Sequence, residues 1–171
     1  MEIPLTILTL VETSIVGVLL GASTVAVISY ALCLRHGYPR EGIGNALIQG
    51  VYTLIRVFHV LLAIVVAVSI IVFGVFDGLL EAQVEYGVKA TILFINGLIA
   101  CGMAYRILPV AYAAPFIAAG WYFLASYHTY TMDLVLISIT TPVIWYLSLI
   151  ILFQLIFILL RQTIKPISHT I

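Results

Sequence analysis

The sequence predicts an all-α fold, a bundle of five transmembrane helices, and three observations predict it. Of the 171 residues, 64% are hydrophobic and only 8% are charged, with a mean hydropathy of +1.24. A soluble domain is about 25% charged, so 7 basic and 7 acidic side chains are too few to keep its surface wet. The apolar residues also fall in continuous runs near the roughly 20 residues that span the hydrocarbon as a helix, without the alternation of barrel strands. One domain, residues 1–171, accounts for the whole length.

The first helix is expected at about 12–34, with Glu12 at its start, where a carboxylate suits the helix dipole. The second covers about 47–76, the third about 87–107 and the fourth, richer in small residues, about 112–131. The fifth covers about 134–161, where Pro142 predicts a kink about a third of the way down, with Thr140 and Thr141 available to the freed carbonyls. Turn residues separate them: RHGYPREGIGN, DGLLEAQVEYG, ILPVAYAAP and TMD. MEIPLTILTL has neither a basic region nor a small-residue cleavage site and reads as a mature N-terminus.

Charge orients the bundle. With the N-terminus outside and the C-terminus in the cytoplasm, the inner side receives Arg35, Arg40, Arg106, Arg161 and Lys165 against Glu41 alone. The outer side receives Glu2, Glu12, Asp77, Glu81, Glu85 and Asp133, with Lys89 its one base. This follows the positive-inside rule and points to a multi-pass protein of a prokaryotic cytoplasmic (inner) membrane. Counting back about 20 residues from Asp77 puts Arg56 at the inner boundary, able to snorkel to head groups, and His59 about 5 Å inside it. On the same count His128 lies near the outer boundary, about 20 Å from His59.

The zero net charge gives no nucleic-acid signal. No nucleophile elbow, HExxH or paired acids occur, and Cys33 and Cys101 fall in apolar runs as buried thiols with no metal-ligand spacing. The chain is therefore expected to be non-enzymatic and metal-free. Asn96 sits near the centre of the third helix, where an amide needs a partner. Trp121, Tyr122, Trp145 and Tyr146 fall near the same level, where aromatics are less usual than at the interfaces. These five residues are the candidate binding site, for a small, mostly apolar or uncharged solute that is bound or passed; the other non-enzymatic reading is a subunit of a larger membrane assembly.

Three further features stand out. Glu12 and Lys89 share the outer leaflet and form a candidate charge pair, with Glu85 four residues before Lys89 as a helix-supporting partner. Gly17 and Gly21 give a GxxxG spacing that suits close helix packing, inside the bundle or against another copy or membrane partner in an assembly. Arg56 and His59 form an alternative site, a single-histidine haem b site in a membrane redox protein, with Arg56 on a propionate. A bis-histidine site is ruled out by the expected separation of His59 and His128.

The run KATILFINGLIACGMAYRILP at 89–109, followed by GWYFLASYH at 120–128, resembles a pattern in a family of small uncharacterised bacterial integral membrane proteins. The first helix, VGVLLGASTVAVISY, and the segment around Arg56 also fit, over about residues 14–130. That resemblance implies a polytopic helical protein and brings no activity. A more distant likeness, to the haem- and copper-handling membrane proteins of the copper-resistance D type, implies histidines near helix ends. Here only His59 and His128 lie within helices.

Overall fold

A computed structural model describes residues 2–36, 43–72, 80–130 and 140–163. The described residues form five helices, α1 (Glu2–His36), α2 (Ile43–Ser69), α3 (Leu80–Ala104), α4 (Val110–Tyr130) and α5 (Thr140–Thr163). Four of them are long and apolar enough to cross a membrane, over Ile7–Cys33, Asn45–Val72, Val84–Ala104 and Thr141–Thr163. The protein is thus a helical bundle with the character of a multi-pass membrane protein.

Helices α1, α2, α3 and α4 pack in a closed ring, each against the next and α4 against α1, with α5 laid on α4 and the edge of α1. The most extensive contacts join α1 to α2 and α4 to α5. This arrangement explains why α4 is the least lipid-like helix. Its Ala113, Pro115, Ala118, Ala119, Gly120, Trp121, Phe123, Leu124 and Tyr127 are buried, so neighbouring helices take the place of lipid and small residues let them approach. Pro115 sits inside α4 and removes the hydrogen bond to the carbonyl of Ala111. One residue on, Gln154 Nε2 of α5 donates to the carbonyl of Tyr112 at 3.2 Å and ties α5 to this turn of α4.

Several element ends differ from the sequence expectation. α1 begins ten residues early, at Glu2, so Glu12 lies well inside the helix and not at its start. The charge was read as a boundary, but it is a buried core residue. α3 begins at Leu80 and ends at Ala104. Arg106 takes a left-handed conformation (φ 58°), and the amides of Ile107 and Leu108 return to the Gly102 carbonyl at 2.9 and 3.0 Å. These bonds satisfy end carbonyls and turn the chain sharply into α4. α2 ends in a wider, π-type turn over 70–72. Arg40, Glu41, Asp77, Asp133, Lys165, His169 and the expected start of the fifth helix at 134 lie outside the described residues. Pro142 falls in the first described turn of α5, so the expected mid-helix kink lies at the edge of the described residues.

Two expectations about faces are corrected. Gly17 and Gly21 are exposed, and a Cβ at either would meet nothing within 4 Å. They face out of the bundle and do not form its internal seam. Cys101 is exposed and Cys33 half-buried, so neither is a core thiol.

Candidate functional site

The site grows from four consecutive residues of α4 that reach all four other helices. Gly120 meets α3: a Cβ built there would lie 2.3 Å from both terminal atoms of the Asn96 amide. Trp121 meets α2, its indole edge-on to the His59 ring at 5.3 Å. Tyr122 meets α1, sharing a 2.8 Å hydrogen bond with Thr24 Oγ1, and packs on Phe153 of α5. Phe123 meets α5, with Trp145 and Tyr146 against its edges at 5.8 and 5.5 Å. Successive residues of a helix turn through about 100°, so a central helix distributes four adjacent side chains among four neighbours.

This geometry divides the five residues expected to form one site. Asn96 and Trp121 lie toward α2 and α3, whereas Tyr122, Trp145 and Tyr146 lie toward α1 and α5. α3 and α5 do not pack substantially against each other among the described residues, so α4 stands between the two groups. The unpartnered polar atoms of Asn96 and Trp121 lie where α2, α3 and α4 meet.

Two polar layers line the α1–α4 ring. In the first, Lys89 Nζ lies 2.6 Å from Glu12 of α1 and 2.6 Å from Glu85, one turn away on α3. Lys89 and Glu12 are each 2% exposed, while Glu85 is 31% exposed. The Tyr86 ring centroid is 4.7 Å from the ammonium, and the Tyr86 side chain is hydrogen-bonded to the fully buried Ser69 of α2. The structure thus brings Glu12 and Lys89 together as a desolvated pair. Removing one member of such a pair strands the other in a low-dielectric interior.

Seven residues further along α3, about 10 Å of rise, lies the second layer. Between the two are the buried apolar side chains Val16, Leu19, Leu62, Val66, Ile92 and Leu93. The second layer holds Asn96, 1% exposed, with neither amide atom hydrogen-bonded. It also holds Trp121, 2% exposed, whose indole N–H has no partner, and the half-buried His59. Ser23 of α1, three turns below Glu12 on the same helix face and so about 6 Å past the Asn96 level, is buried with its hydroxyl oxygen unpartnered. On the other side of α4 the Tyr146 hydroxyl is also buried without a partner.

The depth of His59 is corrected by its contacts. A Cβ at Gly97 would lie 3.5 Å from His59 Nε2, so His59 is level with Asn96 in the middle of the bundle and not near its inner edge. Asn96 lies near the middle of the Val84–Ala104 span, and that sets the level of His59. Since Trp121 is level with His59, His128 lies about 10 Å further along α4, half the expected separation. The surroundings of His59 do not fit haem. The Nε2 that would ligate iron lies against Gly97, the Trp121 indole packs perpendicular to the ring at 5.3 Å, and Arg56 is exposed.

No protein-family model, curated protein or solved structure matches this chain. Sequence reasoning did not assign Ser23, Thr24, Ser69, Tyr86 or Gly120 to a site. Gly120, standing directly before Trp121 in a small-residue run, carried the clearest available signal for close helix approach.

Proposed function

We propose that this is a non-enzymatic membrane protein that binds or passes a small uncharged polar solute inside the α1–α4 ring, at the level of Asn96. The observation that carries the proposal is the Asn96 side chain: buried to 1% exposure, held against Gly120, with donor and acceptor both unpartnered. A buried polar group without a partner costs about 1–3 kcal/mol. A solute with a carbonyl or hydroxyl recovers that energy by bonding the amide of Asn96 and the indole N–H of Trp121. The Glu12–Lys89–Glu85 cluster lies on the way from one end of the ring to this level. Its polar atoms offer hydrogen bonds to neutral solutes.

The same proposal places the protein in a prokaryotic inner membrane, N-terminus outside and C-terminus in the cytoplasm. Its support is the sequence asymmetry of basic residues and the resemblance to small bacterial integral membrane proteins. The test is reconstitution into vesicles and stopped-flow measurement of glycerol and urea entry, beside calorimetric binding of the same solutes. Wild-type protein is expected to exceed protein-free vesicles in flux or to bind one of the solutes, and Asn96→Leu to lose the effect. Wild-type protein that neither binds nor passes them, or an Asn96→Leu variant equal to wild type, refutes the proposal.

A further inference from the structure

The described part of α2 carries one formal charge, Arg56, and its side chain is exposed. The exposed residues around it are mostly those of a lipid-facing helix, including Leu54, Val57, Val60, Leu61 and Ile64. His59 is level with Asn96, about 12 Å from the Ala104 end of the Val84–Ala104 span, and Arg56 lies one turn nearer that end, about 7–8 Å inside it. A charge on the outside of a helix at that depth is costly and marks function.

Arg56 is not isolated on its face. Asn45, Gln49, Tyr52 and Arg56 stand at i, i+4, i+7 and i+11, one continuous stripe of the helix. Gln49 and Tyr52 are exposed like Arg56, and Gln49 Nε2 is 3.5 Å from Asn45 Oδ1. The stripe starts at the head-group end of the span and stops at the one cation, about 16 Å further in.

We propose that this stripe binds the phosphate of an anionic phospholipid, drawn inward from the head-group region to meet Arg56. One guanidinium and a column of neutral hydrogen-bonding groups match a phosphodiester monoanion in a head group with no cation of its own, because a choline ammonium already balances the phosphate and meets the arginine's like charge. Among the described residues a second copy offers no acid to Arg56. The acids whose side chains are described, Glu12 and Glu85, belong to the opposite end of the ring. An acidic helix of another protein needs a partner at Arg56 alone and leaves the polar column toward the interface unexplained.

The experiment is native mass spectrometry of the full chain in detergent with an equimolar mixture of phosphatidylglycerol and phosphatidylcholine. Wild-type protein is expected to retain phosphatidylglycerol over phosphatidylcholine, and Arg56→Leu to lower that ratio by about tenfold, the effect of one charge-assisted contact. Arg56→Lys is expected to keep most of the preference, and because Arg56 is exposed both variants are expected to melt like wild type. An Arg56→Leu ratio equal to wild type, or no preference in wild type, overturns the inference. So does a polypeptide that co-purifies with wild type but not with Arg56→Leu while the lipid ratio stays constant, which assigns the face to an acidic helix. If Arg56→Leu melts early, Arg56→Gln gives the same comparison.

Discussion

Replacing Gly120 by alanine tests the contact on which the interior of the ring is built. The added Cβ would stand 2.3 Å from Oδ1 and Nδ2 of Asn96 and 2.7 Å from its Cγ, where ordinary contact begins at 3.4 Å. Either α3 and α4 separate by about 1 Å or the buried amide leaves its place, and overpacking of this kind costs about 1–3 kcal/mol. Glycine to alanine inside a helix otherwise stabilises by about 0.5–1 kcal/mol, so the sign alone separates the clash from helix propensity. For a protein of this size each kcal/mol moves the melting temperature by about 2–4 °C, and thermal melting in detergent reads it directly. Asn96→Ala, which removes the amide, is expected to rescue Gly120→Ala, with a coupling of about 0.5–3 kcal/mol in the double-mutant cycle. A Gly120→Ala protein that melts higher than wild type, or one whose loss persists unchanged beside Asn96→Ala, refutes the packing described.

Lys89→Met leaves Glu12 buried without its cation and is expected to destabilise by about 3–5 kcal/mol, seen as a large fall in melting temperature. Glu12→Gln keeps a hydrogen-bonding group opposite Lys89 while Glu85 still balances the charge, so its loss is expected to be smaller; the reverse order would contradict the cluster. Thr24→Val and Tyr122→Phe each remove the 2.8 Å bond between α1 and α4 and are expected to cost about 1 kcal/mol. The double variant should cost little more than either single change, and full additivity in thermal melting would deny the bond.

Much of the fold was legible because membrane helices are set by length and hydropathy. All five were located, and the Glu85–Lys89 pairing followed from spacing alone. What could not be read was which way each face points. Glu12 was taken for a helix start because charges usually end apolar runs, yet it is buried on Lys89 across the ring. Gly17 and Gly21 have the spacing of a packing seam, but nothing in the sequence says that α1 turns that face outward. His59 was placed too shallow because depth was counted from Asp77, while its true level is fixed by Gly97 and Trp121 on two other helices. Asn96 was recognised as a buried amide. Its aromatic companions were divided because α4 fans Trp121, Tyr122 and Phe123 toward different neighbours, a consequence of helix order that composition does not encode.

The central claim is that small polar solutes reach the second polar layer of the ring. Thiol accessibility of Ser23→Cys measures this most directly, in a background lacking Cys33 and Cys101 and using the small uncharged reagent methyl methanethiosulfonate on protein in vesicles. The account predicts that the thiol, at a position 4% exposed and about one turn past Asn96, reacts in the folded protein, faster than a thiol placed at Leu62 in the apolar layer. A Ser23→Cys thiol that stays unmodified until the protein is denatured would contradict it.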